Sequence, residues 1–347
     1  MGVDLGDLAV RKPISLESLA GRVVAIDAFN TIYQFLSSIR QEDGNPLMDY
    51  KGRVTAHLSG LFYRNARLLE NGIRPVYVFD GKSPEFKRKT QQMRAAIKKD
   101  AEEKWMRALE EGRPEDAKKF AQATSRLTRE MIEEGKKLLI AMGIPVVQAP
   151  SEGEAQAAEM VRDGTVYASA SQDYDSLLFG SPILIRNLSI TGKRKIPKQD
   201  RYVLVEPEEI RLDEVLRLLG VTREQLVMMG LLVGTDFNEG VHGIGPKKAL
   251  KAVKENGFKT LDELCEFVKT KHKIELPENI KEIYDFFLKP PTEKTGKLNF
   301  AKANPEEIRR MLVDEHDFSP ERIDGTIARI VHAAKEKGAQ KRMDEWL

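Results

Sequence analysis

Hydrophobic positions along the chain follow two alternating patterns. Short runs that are almost wholly apolar and rich in β-branched residues are typical of strands covered on both faces. Apolar positions at helical spacing fill 56–70 and 129–142, and the second of these segments is stopped by Gly143 and Pro145. The strand-like runs are 23–29, 75–80, 145–148, 165–169 and 182–186. This alternation predicts an α/β fold with a mostly parallel central sheet flanked by helices.

Two further segments are predicted to be helical. The stretch 82–137 is dense in Lys, Arg, Glu and Ala and contains no strand-like run, which indicates a helical insertion broken near Gly112 and Pro114. From about Pro207 onward helical patterns return, with glycine-rich turns at 234–245. We therefore expect one domain over 1–335, followed by a flexible tail at 336–347. The domain is expected to consist of an N-terminal region of about 1–110, the insertion at about 82–137 and an internal region of about 138–260. The internal region includes a helical hairpin at 230–256.

Composition narrows the class of protein only slightly. Charged residues make up 32% of the chain, above the roughly 25% of ordinary soluble domains, and the net charge of +2 identifies no partner by itself. The single cysteine, Cys265, excludes an internal disulfide and a cysteine-based metal site. The N-terminus lacks the pattern of a signal peptide, and no apolar run has the length of a membrane span. We expect a soluble, intracellular protein without membrane contacts, in the cytoplasm or nucleoid if the host is archaeal.

Acidic residues stand where the predicted strands end. Asp27 follows one apolar run and Asp80 the next, at the sheet edge where open α/β folds bind ligands. If the strands are parallel neighbours, further acids after the run 166–170, in the segment 151–154 and at 234–236 reach the same edge. The resulting set is Asp27, Asp80, Glu152, Glu154, Asp173, Asp175 and Asp236.

Seven like charges at one edge would repel one another unless cations neutralised them. Mg²⁺ or Mn²⁺ fits best, because hard divalent ions prefer oxygen ligands and the site offers no Cys and no obvious His. The number of carboxylates suggests two ions about 3.5–4 Å apart, which activate water and stabilise the leaving oxygen of a phosphodiester.

Each acidic residue also has a purely structural interpretation. Asp at a strand end is common as a turn residue or helix cap. Ser151 with Glu154 three residues later matches a capping box, and Asp173 and Asp175 are compatible with a solvated loop. Their joint occurrence at predicted strand ends is what favours a metal site for phosphoryl chemistry.

Basic residues are concentrated beside Asp80. Between 82 and 99 the only acidic residue is Glu85. Such a run is often only a solvated helix face, but next to the acidic edge it would neutralise phosphates and stabilise charge on a scissile group. The basic residues are Lys82, Lys87, Arg88, Lys89, Arg94, Lys98 and Lys99.

The segment 240–249 predicts a helix-hairpin-helix. Its glycines, including Gly243 and Gly245, let backbone amides approach phosphates, and the following helix start carries Lys247 and Lys248. A helix C-cap followed by a turn would also explain the glycines. A second basic stretch, 193–201, is compatible with duplex contacts or with a solvated loop.

The last eight residues match a sliding-clamp-binding box. A one-turn helix would bring Met343, Trp346 and Leu347 together as a hydrophobic plug after Gln340. The commonest form of this clamp-binding box ends in two aromatic residues, and Leu347 stands in the position of the second aromatic residue in this chain.

Five segments, taken in order, resemble the flap endonuclease family of structure-specific 5′ nucleases in its archaeal form. They are Ala-Ile-Asp-Ala at 25–28, Val-Phe-Asp-Gly-Lys at 78–82, Ala-Pro-Ser-Glu-Gly-Glu-Ala-Gln-Ala at 149–157, Ala-Ser-Ala-Ser-Gln-Asp-Tyr-Asp at 168–175 and Val-Gly-Thr-Asp-Phe at 233–237. The resemblance implies that the seven carboxylates are catalytic and bind two Mg²⁺, for which Mn²⁺ can substitute. It also implies cleavage at the junction of a 5′ flap and exonucleolytic action on nicks and gaps, in DNA replication, including Okazaki fragment maturation, and in repair.

The resemblance assigns further roles. Lys87 and Arg94 match the basic catalytic pair, and the insertion 82–137 matches a helical arch that admits a free 5′ strand. Tyr33 matches a tyrosine that stacks on a base, although an aromatic there is otherwise a core residue. Gly2 matches an N-terminal glycine close to the metals. The hairpin is expected to grip duplex DNA and to hold K⁺ through backbone carbonyls. The residues expected to contact DNA are Gly2, Tyr33, Lys82, Arg88, Gly243, Gly245, Lys247 and Lys248.

Three other functions compete with this interpretation. A related exonuclease or junction resolvase would share the acidic cluster and differ in substrate. A non-catalytic DNA-binding adaptor for the clamp would carry structural carboxylates, but no central acid is missing. A phosphatase acting through aspartyl phosphate is weaker, because Phe29 stands where that chemistry expects a second acid. We expect a monomer that binds branched DNA and a sliding clamp.

Overall fold

The computed structural model describes residues 3, 5–6, 8–41, 44–189, 192–195 and 202–344. The described strands are β1 (Lys12–Pro13), β2 (Val23–Asp27), β3 (Arg74–Phe79), β4 (Val146–Gln148), β5 (Ala168–Ala170), β6 (Ile183–Arg186), β7 (Gly192–Lys195), β8 (Tyr202–Val205) and β9 (Glu208–Arg211). Seven of them form one sheet in the order β1-β9-β6-β5-β2-β3-β4. The five strands from β6 to β4 in this order are parallel to one another. At one edge of the sheet β9 pairs antiparallel with β6, and β1 pairs antiparallel with β9. The predicted mostly parallel α/β sheet is confirmed.

Helices cover both faces of the sheet. The described α-helices are α1 (Ala28–Ser38), α2 (Ala56–Glu70), α3 (Arg88–Glu110), α4 (Pro114–Ala123), α5 (Arg129–Ala141), α6 (Gly153–Arg162), α7 (Asp175–Leu178), α8 (Leu212–Leu219), α9 (Arg223–Val233), α10 (Pro246–Asn256), α11 (Leu261–Phe267), α12 (Ile280–Leu288), α13 (Pro305–Arg309) and α14 (Pro320–Asp344). Within the described ranges, no helix is both long enough and apolar enough to cross a membrane.

Alternate residues of the central strands enter different apolar clusters. Ile26 and Tyr77 pack in the cluster that includes residues of α1, α2, α5 and α14. Ala25 and Val76 pack with residues of α6 on the opposite face. Because both faces are covered, each of these strands is an almost uninterrupted apolar run, which is the pattern that predicted them.

Three strand predictions required correction. The first strand ends at Asp27 rather than Phe29, because the Asp27 carboxylate caps α1 by accepting a 3.1 Å hydrogen bond from Asn30 N–H. The edge strand β9 lies where only helix was predicted. Apolar and polar residues alternate only weakly along β9, and Ile210 is its one buried residue. The strand forms because β6 offers an edge with which it can pair. The ribbon of β7 and β8 was not predicted either.

The insertion forms two helices, α3 and α4, that pack against each other. The break comes at Gly112, whose φ is +66°, and at Pro114 in the first turn of α4, where the sequence predicted it. At the base of the insertion Phe86 makes edge contacts with Phe237 and Phe286, at ring-centroid distances of 5.3 and 5.2 Å. These contacts fix the start of α3 beside the loop that follows α9.

A buried polar cluster holds the C-terminal part of the chain to the sheet domain. The imidazole of His316 lies 3.4 Å from a carboxylate oxygen of Asp49 and 3.4 Å from one of Glu134. His57 lies 3.2 Å from the other Glu134 oxygen. Hydrogen bonds from His316 and His57 lower the pKa of Glu134 to about 2. From there α14 continues to Asp344, so the backbone of 336–344, in the predicted tail, is helical. Seven of the nine residues of this segment are Glu, Lys, Ala, Gln, Arg or Met, which favour helix.

Candidate active site

The topology of the sheet places several acidic residues at one edge. Asp27 is the last residue of β2 and pairs with Val78 of β3, and Asp80 follows β3 directly. Asp173 and Asp175 follow β5, the neighbour of β2 on its other side. From β2 the chain passes to β3 and β4 on one side and then returns to β5 on the other. The strand order thus reverses at β2, which is the position where open α/β sheets bind ligands.

Glu152 and Glu154 reach this edge because their loop is tied to the loop after β3. The Gly153 amide donates a 2.7 Å hydrogen bond to Asp80 Oδ1, and the Gly81 amide donates a 2.6 Å bond to the Ser151 carbonyl. A Cβ atom on Gly81 would lie 2.1 Å from the Ala149 carbonyl oxygen, so only glycine fits there.

The capping-box interpretation of Ser151 and Glu154 is wrong. The N-cap residue of α6 is Glu152, and no side chain caps that helix. The Ser151 hydroxyl instead donates to the Lys82 carbonyl at 3.1 Å. The Glu154 carboxylate accepts a 3.2 Å hydrogen bond from the Ser176 hydroxyl, so it belongs to the acidic edge rather than to a helix cap.

Asp236 and Lys87 are supplied by two further elements of the fold. Asp236 lies in the loop after α9, which Asn238 holds through a 2.7 Å bond from its side-chain amide to the Leu231 carbonyl. The Lys87 ammonium group is buried and forms an ion pair with Glu152. Burial alone would lower the pKa of Lys87, but Glu152, Asp80 and Asp236 together outweigh burial and raise it.

Each of the seven carboxylates is close enough to at least one other to be repelled by it. Burial, reinforced by Asp80 and Asp173, raises the pKa of Asp27 well above its ordinary value. Burial followed by repulsion from Asp27, Asp175 and Asp173 does the same for Glu154. Asp27, Asp80, Glu154 and Asp173 therefore lie close to one another at this edge.

The remaining members are linked in the same way. Burial and then Asp236 raise the pKa of Asp175 to about 7. Burial is also the main cause that raises the pKa of Asp80 and of Glu152, against the opposing effect of Lys87. The seven acids outnumber the Lys87 ammonium group, so ionising all of them would leave a large excess of negative charge.

The donor set fits a hard divalent cation. Glu152 Oε1 is buried and has no hydrogen-bond partner among the described residues, which costs free energy unless a positive group approaches it. In the described part of the chain, no three Asp, Glu, His or Cys side chains already close around one point. Carboxylate oxygens are nevertheless the donors that Mg²⁺ prefers, and this ion usually keeps several water ligands beside them.

Comparisons with known proteins identify the family of this chain. Residues 5–101 match the family of XPG N-terminal domains, and residues 143–236 match the family of XPG I-regions. Flap endonuclease 1 of Pyrococcus horikoshii is 53% identical over 347 residues, which cover 100% of this chain and 98% of the relative. The chain belongs to the flap endonuclease family.

Solved structures of related nucleases have the same fold as this chain. Flap endonuclease-1 from Methanococcus jannaschii aligns with a TM-score of 0.74 and 39% identity, over 97% of this chain and 100% of that one. The catalytic core of Rad2 in complex with DNA substrate aligns with a TM-score of 0.70 and 25% identity, over 95% and 100%. This chain is a structure-specific flap endonuclease, and its family of nucleases depends on metal, generally Mg²⁺.

The structure describes most of the residues that are expected to contact DNA in this flap endonuclease. Tyr33 is 38% exposed, and the Lys98 ammonium group lies 4.8 Å from the centre of its ring, so Tyr33 is not a core residue. Lys82 and Arg88 are exposed at the base of the insertion. The backbone of Arg94 lies in α3, but its side chain lies outside the described part of the chain, as does Gly2.

The predicted helix-hairpin-helix consists of α9, the loop 234–245 and α10. Gly243 has a φ of +81°, and Gly245 is the N-cap of α10 with open space where a Cβ would lie. Lys247 and Lys248 are exposed, and the Lys248 ammonium group donates to the Gly243 carbonyl at 2.8 Å. The Gly243 carbonyl therefore accepts a hydrogen bond from the first turn of α10.

Two polar residues that support the site were not predicted. The Gln148 amide group donates to the Asp80 carbonyl at 2.6 Å, and Asn30 contacts two of the acids. Neither has a sequence signal of its own, because a polar residue at a strand end or in the first helical turn is ordinary. Their partners are set by the tertiary structure.

Neutralising one carboxyl should stabilise the metal-free enzyme. A carboxyl whose pKa is raised on folding binds its proton more tightly in the folded chain, so its contribution favours folding below the unfolded pKa. For Asp175 this advantage is lost as the pH rises from about 4 to about 7. In EDTA at pH 8 we expect Asp175→Asn to raise the Tm by at least about 2 °C and to flatten its fall between pH 4 and 7. An unchanged or lower Tm in calorimetry would contradict the repulsion described for this cluster.

Proposed function

We propose that this flap endonuclease hydrolyses the phosphodiester at the base of a 5′ flap with two Mg²⁺ ions held by the seven carboxylates of the acidic edge. The observation that carries the proposal is the convergence of the elements that bear these acids at the edge formed by β2, β3 and β5, where Glu152 Oε1 is buried without a hydrogen-bond partner among the described residues. When bound, such a pair of ions supplies an activated water and stabilises the leaving oxygen. The residues that would hold them are Asp27, Asp80, Glu152, Glu154, Asp173, Asp175 and Asp236.

Lys87 and Arg94 supply positive charge at the base of the arch. Lys87 is fixed by Glu152 and by packing near the Phe237 ring, so its ammonium group needs little reorganisation when a phosphate arrives. Preorganised donors of this kind stabilise charge that develops on a scissile group. We assign Arg94 the same role from its position on α3, seven residues after Lys87.

DNA is held on both sides of the acidic edge. The arch formed by α3 and α4 admits the free 5′ strand, Tyr33 stacks on a base near the cleaved bond, and Lys82 and Arg88 neutralise phosphates. Gly2 lies close to the metals in this proposal. Gly243, Gly245, Lys247 and Lys248 hold the duplex through backbone amides and charge, with K⁺ at the hairpin carbonyls. The Rad2 core, which shares the fold, was solved with a DNA substrate, and this supports the placement.

The same site serves two modes of cleavage. We propose endonucleolytic cleavage of flaps and 5′–3′ exonucleolytic cleavage at nicks and gaps, in replication and repair. A single chain supplies all seven carboxylates, which supports a monomer.

Digestion of a double-flap DNA tests the function. With Mg²⁺ the enzyme should cut the 5′ flap at its base, and a matched substrate with a bulky block on the 5′ end should be cut far more slowly, because the flap must pass the arch. Cleavage in EDTA should be absent. Equal cleavage of both substrates would remove the threading role of the arch, and preference for a four-way junction would favour a junction resolvase.

The C-terminal residues provide a clamp contact in this proposal. The backbone of Gln340 and Met343 lies in α14, while their side chains, like all of Trp346 and Leu347, lie outside the described residues. Deleting 340–347 should leave intrinsic flap cleavage unchanged and should abolish stimulation by a sliding clamp, because the hydrophobic plug is lost. Stimulation that survives the deletion would exclude this segment as the clamp contact.

A further inference from the structure

Asn30 connects two of the acids across two elements of the fold. Its side-chain amide donates a 2.9 Å hydrogen bond to Asp173 Oδ2, and its backbone N–H donates a 3.1 Å bond to Asp27 Oδ1. Asp27 ends β2, whereas Asp173 lies in the loop after β5. One residue in the first turn of α1 therefore contacts carboxylates that are 146 positions apart in the chain (173 − 27).

The two hydrogen bonds differ in what a substitution can remove. The bond to Asp27 comes from the backbone and caps α1, so it survives a change of side chain. The bond to Asp173 comes only from the side chain. Asp173 is also positioned by its own N–H, which donates to the Ser171 hydroxyl at 3.2 Å, so the loop is held independently of Asn30.

A neutral donor inside an acidic cluster has a specific effect. Asp27 and Asp173 repel each other, and without a restraint the two carboxylates would turn apart. The Asn30 amide group engages one oxygen of Asp173 and so fixes the direction of the other. Partners of this kind set the orientation of a ligand, and their loss typically weakens metal affinity or activity by about 10–100-fold.

We propose that Asn30 is a positioning residue for the metal site, whose amide group orients the Asp173 carboxylate against Asp27 for shared binding of a divalent cation. The proposal rests on the proposed function, because it requires Asp27 and Asp173 to be metal ligands. Asn30 itself touches neither the metal nor the DNA. It acts through the carboxylate that it holds.

Metal binding by the full-length enzyme without DNA tests this role. In calorimetric titration with Mn²⁺, Asn30→Ala should bind about 10–100-fold more weakly than the wild type. The Mg²⁺ concentration for half-maximal flap cleavage should rise by a similar factor, and saturating Mg²⁺ should restore most of the rate. A purely structural role would not give this recovery, because added metal would not repair a misfolded site.

Two further variants keep the result interpretable. Asn30→Leu preserves volume without a donor and should behave like Asn30→Ala, which separates the hydrogen bond from packing. Gln34→Ala is the matched control, because Gln34 lies one turn further along α1 and its amide oxygen accepts from the Ser189 hydroxyl rather than contacting an acid. Its Mn²⁺ affinity should equal that of the wild type.

The outcomes distinguish this proposal from the function on which it rests. If Asp173→Asn loses Mn²⁺ affinity while both Asn30 variants retain it, Asn30 has no positioning role and the metal site stands. If Asp173→Asn also binds Mn²⁺ like the wild type, the assignment of Asp173 as a ligand fails, and the role of Asn30 fails with it.

Discussion

Asp173→Asn should lose flap cleavage in Mg²⁺ by at least about 10³-fold while it retains flap binding. A metal ion contributes several kcal/mol to the transition state of phosphodiester hydrolysis, and each 1.36 kcal/mol corresponds to a factor of ten in rate. The substitution keeps the size of the side chain and removes the charge that would bind metal. Binding should persist, because the duplex contacts proposed for α10 and the arch lie elsewhere.

Single-turnover cleavage and equilibrium binding, measured on the same labelled double-flap DNA, separate the two effects. Asp163→Asn is the matched control, since Asp163 is exposed at the end of α6 and its carboxylate accepts a 2.9 Å hydrogen bond from Thr165 N–H in its own turn. It should cleave like the wild type. A rate close to the wild type for Asp173→Asn would remove this residue from the metal site.

Lys87→Ala should slow single-turnover cleavage by about 10²–10³-fold, the range found when one preorganised electrostatic donor is removed. Binding should change less, because a single phosphate contact is a small part of the total interaction with DNA. Loss of Lys87 also leaves Glu152 and Asp80 without their cation, so unfolding must be measured alongside to confirm that the variant is folded at the assay temperature.

Lys104→Ala is a suitable control for Lys87→Ala. Lys104 also belongs to the arch, but it is exposed and pairs with Asp100 one helical turn away. It should retain the wild-type single-turnover rate. If Lys87→Ala also cleaves at the wild-type rate, Lys87 has no catalytic role and serves only to pair with Glu152.

The sequence was sufficient to predict the central sheet and its acidic edge. A run such as 23–27 is apolar throughout because both of its faces are covered, and parallel strands bring their carboxyl ends to one edge. Asp27, Asp80 and Asp173 could therefore be grouped from the order of residues alone. The break in the helical insertion could also be predicted, because Gly112 takes a positive φ there and Pro114 favours the first turn of a new helix.

Other features depend on partners that are remote in sequence. β9 is a strand because β6 presents an open edge to it, although its own pattern is weak. The charge pattern alone presented Lys87 as one of seven cations in a basic run, and only the resemblance to the family singled it out. Its burial beside Glu152 depends on the tertiary structure. Asn30 had no signal at all, because its function depends on a loop that lies more than a hundred positions away.

The central claim is that acidic residues distant in sequence share a pair of divalent ions. Anomalous diffraction from crystals of the enzyme grown with Mn²⁺ tests it most directly. We predict two anomalous peaks about 3.5–4 Å apart, both at the edge formed by β2, β3 and β5 and within reach of Asp27, Asp80, Glu154 and Asp173. Crystals with bound Mn²⁺ elsewhere and no peak at this edge would contradict the account.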